Sequence, residues 1–102
     1  MIIQLVARTF NNDKEARAFE NFFFKEWKNL IVRFPNCRLT ILRDNYNSMT
    51  FNALWEFPNK DSQDKVMQLI KINNKKFNSL IPNKSMNFSG KVVKSLPHLE
   101  VK

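Results

Sequence analysis

Hydrophobic and polar positions alternate with two different periods along this chain, and the period changes four times. Ile2 to Phe10 reads as a strand of period two. Ile3, Leu5, Ala7 and Thr9 form one side, and Ile2, Gln4, Val6, Arg8 and Phe10 form a mixed side. Asn11, Asn12 and Asp13 then supply a turn, and Asn12 with Glu15 has the spacing of a capping box. Ala16, Phe19, Phe23, Trp27, Leu30 and Phe34 follow in steps of three and four, one stripe of a helix. Lys14, Arg17, Asn21, Lys25 and Lys28 fall opposite, while Phe22 and Phe24 broaden the apolar stripe towards a second neighbour. Pro35 stops the helix near Phe34.

Cys37 to Arg43 returns to period two, with Cys37, Leu39 and Ile41 alternating with Arg38, Thr40 and Leu42. Residues 44–48 are all turn formers or neighbours of them, and a third strand runs from Met49 to Phe57, which predicts an antiparallel hairpin. Met49, Phe51, Ala53, Trp55 and Phe57 share one side of that strand. Pro58 to Lys60 breaks it. Asp61, Ser62 and Asp64 open a second helix, with acids placed at its positive end. The stripe here is Val66, Leu69, Ile70, Asn73, Phe77, Leu80 and Ile81, and Pro82 ends it. A last strand is expected from about Met86 to Leu96, with Gly90 marking a bulge or a close backbone approach. The tail, residues 96–102, is expected to be loose or a short edge strand.

The order βαββαβ in 102 residues is one ferredoxin-like α+β domain spanning residues 1–102, with two helices on one face of a four-stranded antiparallel sheet. The other face would carry Gln4, Val6, Arg8, Arg38, Thr40, Leu42, Asn52, Leu54, Glu56 and Val93. A row of Val6, Leu42, Leu54 and Val93 ringed by polar groups has the make-up of a contact surface, so a sheet-to-sheet homodimer is expected.

Composition then removes whole classes of chemistry. One cysteine, Cys37, excludes an internal disulfide, and one histidine with one cysteine excludes a Cys/His zinc site. A single glycine excludes the glycine-rich phosphate loops. The sequence therefore calls for no metal and no cofactor. No stretch approaches 18 apolar residues and none has the build of an export signal, so the expected location is the cytoplasm, with no membrane partner. His98 lies beside Pro97 near the terminus, a poor place to hold a general base. Cys37 has no base in its sequence neighbourhood and reads as a structural thiol.

The net charge of +8 is unevenly placed. Lys65, Lys71, Lys75, Lys76, Lys84, Lys91, Lys94 and Lys102 stand against the single acid Glu100 in the C-terminal part. Lys71, Lys75, Lys76, Lys84 and Lys91 are accordingly the candidates for contacts to phosphates, in an alternative reading as a nucleic-acid-associated module. The abundance of Asn, Lys, Ile and Phe also fits plain AT-rich codon usage. The third strand lacks the exposed aromatics that base stacking on an open sheet requires.

Residues 49–80, from Phe51-Asn52-Ala53-Leu54-Trp55-Glu56-Phe57 through Phe77, resemble the corresponding part of antibiotic-biosynthesis-monooxygenase-like dimeric α+β barrels. The resemblance implies a homodimer with a small cavity between sheet and helices in each subunit. Some members of that group oxidise aromatic polyketides without a cofactor, and some degrade haem. The haem-degrading branch uses an Asn on the first strand with a Trp and a His on the second helix, and this sequence has none of the three there. Asn73 in the middle of an apolar stripe needs a polar partner, and so does the indole N–H of Trp55. Trp55, Asn73, Trp27 and Phe23 are therefore the candidates for lining a cavity that takes a small apolar ligand.

Overall fold

The computed structural model describes residues 1–97. His98 falls outside them, as does most of the tail expected to be loose. The elements follow the order β1 (Ile2–Thr9), α1 (Asp13–Leu30), a 3₁₀ turn (Ile31–Arg33), β2 (Arg38–Leu42), β3 (Thr50–Phe57), α2 (Lys60–Leu80) and β4 (Lys84–Lys91). The strands form one sheet in the order β2-β3-β1-β4, every neighbouring pair antiparallel. This is the ferredoxin-like βαββαβ arrangement. Among the described residues, no helix is long and apolar enough to cross a membrane.

Local chemistry sets the boundaries. Asn12 caps α1, its side chain accepting from the Glu15 backbone N–H at 2.8 Å. Glu15 returns a bond to the Asn11 N–H at 3.4 Å, one residue earlier than a regular capping box. Asn59 caps α2 in the same way, accepting from the Ser62 N–H at 2.9 Å. The α-helical part of α1 stops at Leu30, four residues before the point expected, because the chain tightens into the 3₁₀ turn ahead of Pro35. Leu30 and Phe34 still pack against the core. In the β2–β3 connection Asp44 and Asn47 accept from the N–H groups of Tyr46 and Met49, two Asx turns that fix the hairpin.

The core lies between the helices and the sheet. Phe19 is its centre, with Phe51 of β3 and Phe77 of α2 both edge-on at 4.9 Å between ring centroids. Phe22 stacks on Phe77 at 5.2 Å, so the broadened stripe of α1 does meet a second neighbour, α2. Phe51, Ala53, Trp55 and Phe57 face the helices, as their alternation predicts.

Three expectations about side-chain direction are corrected. First, the phase of β1 is the reverse of the one read from sequence. Ile2, Gln4, Val6 and Phe10 are buried and share the helix-covered face, while Leu5 is exposed. Both sides of β1 hold apolar residues, so alternation alone could not choose. Pairing does, because Val6 stands opposite Ala53 and Gln4 opposite Trp55 in β3. Val6, Gln4 and Arg8 therefore do not belong to the open face. Second, β4 starts two residues earlier and stops five earlier than expected. It keeps an unbroken register with β1, with Ile3 opposite Gly90, so Gly90 is not a bulge. A Cβ there would meet only the Phe88 ring of the same strand, at 3.4 Å, so Gly90 does not mark a close backbone approach either. Val93 lies beyond the strand and is 87% exposed, outside the sheet face to which it was assigned. Third, the buried asparagine of α2 is Asn74, not Asn73, and Leu80 is exposed rather than part of the stripe.

Candidate functional site

Two spaces lie between the sheet and the helices, and the cavity candidates divide between them. The first is an open groove of about 270 Å³ between α1 with its 3₁₀ turn and edge strand β2. Phe24, Trp27, Ile31, Leu39 and Ile41 line it, with Lys28 as the one charged residue. Helix spacing brings Phe24, Trp27, Lys28 and Ile31 to one side of the helix, and strand alternation brings Leu39 and Ile41 to face them. Phe24 is 57% exposed, unusual for a phenylalanine and explained by its position on the wall. The Trp27 indole is buried, and its Nε1–H has no acceptor among the described residues.

The second space is a void of about 10 Å³, room for a single water, deeper in the layer. Val6, Phe23, Phe51, Ala53, Trp55 and Ile70 supply its apolar walls, and Arg8 and Asn74 its polar ones. Trp55 and Asn74 are essentially fully buried. The Trp55 Nε1–H and the Asn74 Nδ2 group have no hydrogen-bond partner among the described residues. An unsatisfied buried donor costs about 1–3 kcal/mol, so two in one void are a concentrated expense. The two indoles pack edge to face at 5.0 Å, with Trp27 bordering the groove and Trp55 the void. Of the four sequence candidates, Phe23 and Trp55 line the void, Trp27 lines the groove, and Asn73 lines neither.

Sequence reasoning passed over the polar residues around the void. Gln63 on α2 donates to Gln4 Oε1 at 2.9 Å and to Ser89 Oγ at 2.8 Å, and Gln4 donates in turn to Asn87 at 3.3 Å. Arg8 donates to the side-chain oxygens of Asn83, beyond the end of α2, at 3.0 Å and of Asn78, in its last turn, at 3.4 Å. Its guanidinium carbon stands 5.2 Å from the centroid of Phe19, a cation–π contact. Burial pulls the Arg8 pKa below its ordinary value, though a guanidinium stays charged at any working pH. A signal for these residues was present. Gln63, Val66, Ile70, Asn74 and Phe77 form one stripe in steps of three and four, and its two polar members are the ones that bond or await bonds.

The open face of the sheet is built by cross-strand rows. Thr40, Leu54, Leu5 and Phe88 stand in register across the four strands, and Leu42, Asn52, Ala7 and Met86 form the row beside them. Leu5, Leu42, Met86 and Phe88 are all exposed. Arg38 and Glu56 form an ion pair at 3.8 Å at one margin, while Arg8, grouped with them from sequence, is on the other side of the sheet. In β4 the usual polarity is inverted. Its helix side carries Ser85, Asn87, Ser89 and Lys91, and its open side carries Met86 and Phe88.

The remaining candidates are dispersed. Lys71, Lys75 and Lys76 are exposed on α2, whereas Lys84 and Lys91 terminate opposite ends of β4 and project to opposite sides of the sheet. Nearer the start of α2, Lys60 and Lys65 are paired with Asp64 and Asp61. Cys37 is half-buried just before β2, and burial raises its thiol pKa despite a hydrogen bond with Ser62, which works against a nucleophilic role. Among the described residues, no cluster of three or more His, Cys, Asp or Glu has the geometry to hold a metal.

No protein-family model and no curated protein sequence matches this chain. Solved structures do. A dimeric ferredoxin-like protein from an uncultured marine organism superposes with a TM-score of 0.75 at 19% identity, over 96% of this chain and 100% of its own. A protein assigned as an antibiotic biosynthesis monooxygenase from Deinococcus radiodurans gives 0.78 at 8% identity, over 98% and 100%. SnoaB, a cofactor-independent oxygenase from Streptomyces nogalater, gives 0.68 at 18% identity, over 95% and 98%. The chain thus has, over nearly its whole length, the fold shared by dimeric ferredoxin-like and antibiotic biosynthesis monooxygenase proteins.

Proposed function

We propose that the protein is a homodimer joined through the open faces of two sheets, and that each subunit holds a small, mostly apolar molecule in the groove between α1 and β2. The observation that carries the ligand reading is the groove itself. It has about 270 Å³ of room and five apolar walls, with Lys28 as the one charged residue in its lining. The inverted polarity of β4 supports the dimer. A strand that turns Met86 and Phe88 away from its own core finds burial for them in a second copy. The neighbour described as dimeric and the one described as a cofactor-independent oxygenase are consistent with this reading.

Titration with 1-naphthol, followed through tryptophan fluorescence, tests the ligand reading. Saturable quenching is expected, lost in an Ile41→Trp variant whose added ring fills the groove. Quenching unchanged by Ile41→Trp, or none at all, sinks the reading.

A further inference from the structure

α2 carries its charge in two separate blocks. At its start, Lys60 and Lys65 are paired with Asp64 and Asp61, at 2.7 and 3.1 Å. Further along, Lys71, Lys75 and Lys76 are all exposed, and none has a carboxylate within ion-pair distance among the described residues. None has an acid three or four positions away on the helix either, and Lys71 with Lys75 is a like-charge pair at the spacing that destabilises a helix. The helix dipole does not account for them, because no basic residue lies in the last turn of α2. From position 65 to position 99 the sequence contains no Asp or Glu. A helix that matches its first lysines and leaves the next three unmatched presents one sign of charge to a partner of the other sign.

The partner can be narrowed from the face itself. Gln63, Val66 and Asn74 are the buried residues of α2, and helical spacing puts Gln68, Ile72, Lys75 and Lys76 on the opposite side, with Lys71 on their flank. That side looks away from the sheet, so neither a second copy on the open face nor a ligand in the groove covers it. Ile72 and Leu80 are 69% and 72% exposed, eight positions apart. Two isolated apolar side chains are not the continuous apolar face by which a helix enters a lipid surface, and α2 buries that face against the sheet.

We propose that this face of α2 binds the phosphate backbone of a nucleic-acid duplex without regard to sequence, each of the three lysines contacting one phosphate. A lysine ammonium is a compact point charge that meets phosphate oxygens in no fixed geometry. The face has no arginine to fork onto a guanine edge and no exposed ring on which a base could stack. The denser charge of a duplex is therefore preferred to a single strand.

Fluorescence anisotropy of a labelled short DNA duplex of mixed sequence, titrated with the whole chain at a series of KCl concentrations, tests this. Three phosphate contacts predict a slope of log K against log salt of about −2.7 for the duplex and about −2.1 for a single strand. Each single change Lys71→Gln, Lys75→Gln or Lys76→Gln should make the slope shallower by about 1, and the triple variant should lose most of the salt dependence. Arg33→Gln removes the same charge from the exposed turn after α1 and should keep the parental slope. Duplexes of different sequence should bind within about twofold of one another, since phosphate contacts carry no sequence information. A duplex that does not bind at low salt overturns the proposal, and so does a parental slope in the triple variant. An equal loss in Arg33→Gln means that net charge alone is read, which overturns it too. Tighter binding to phosphatidylserine vesicles or to polyglutamate than to the duplex assigns the face to a lipid surface or an acidic protein instead.

Discussion

Gln63 of α2 donates its side-chain amide to Gln4 of β1 at 2.9 Å, joining residues 59 apart along the chain inside the sheet–helix layer. The same amide reaches Ser89 of β4, so one side chain ties the start of α2 to two strands. Gln63→Leu leaves the Gln4 oxygen buried without a donor and is expected to cost about 1–3 kcal/mol. Replacing Gln4 and Gln63 together by apolar residues of similar size should cost clearly less than the two single losses combined, because no partner is then left stranded. Urea unfolding of the four proteins measures both quantities.

Phe19 is fully buried and touches aromatic rings from α1, β3 and α2. Phe19→Ala should cost about 3–5 kcal/mol, since the void it leaves is bounded by rings that cannot collapse into it. That is a large part of the stability of an ordinary domain of this size. Circular dichroism during urea unfolding should show the midpoint falling sharply, and a loss below 1 kcal/mol would mean that the ring cluster is not the centre of the core.

Leu54→Lys and Phe88→Lys each put a charge into the central row of the open face. Light scattering should give a mass about twice the 12.2 kDa of one chain for the parent protein and that of a single chain for either variant. Val6→Ala, by contrast, should lower stability and leave the mass unchanged, because Val6 is on the covered side. A parent protein that elutes as a monomer removes the dimer.

Glu20 accepts two hydrogen bonds from Arg43, at 2.7 and 3.1 Å, and pairs with Arg17 at 3.1 Å. The Arg43 bonds, helped by the two positive charges, hold its carboxyl below the ordinary range against the opposing effect of burial. A carboxyl with a depressed pKa in the folded state stabilises the fold above its unfolded pKa and loses that contribution as pH falls through the folded one. The parent protein should therefore lose stability as pH drops below about 4, and Glu20→Gln should flatten that part of the profile. Thermal unfolding between pH 2 and 7 checks the sign.

The elements were legible because their signals are local. The steps of three and four from Ala16 to Trp27 and the alternation from Phe51 to Phe57 each report one buried face, and Pro82 marks closely where α2 stops. What failed was everything that depends on a partner. The two sides of β1 are about equally apolar, and only the opposition of Val6 to Ala53 and the packing of Phe10 on Phe19 at 5.5 Å decide between them. Asn73 and Asn74 are adjacent on α2 and each fits a stripe in steps of three and four, and only packing against the sheet selects the stripe of Gln63, Val66, Ile70, Asn74 and Phe77. The void has the same origin. Arg8 looks like a surface charge on a mixed strand until the reversed phase of β1 turns it under α2.

The inverted strand also bears on how long a lone subunit survives. β4 is at the edge of the sheet, with no strand on its outer side among the described residues, and Met86 and Phe88 on it are 76% and 71% exposed. An open edge with apolar side chains is a template for pairing with any other extended chain. In newly made or highly diluted protein, the face-to-face pairing proposed above competes with edge-to-edge clumping. The two have different dependences on what is present. Encounter needs another folded copy, whereas clumping accepts any unfolded one, so the yield of usable protein is set during synthesis by how many finished subunits are already nearby.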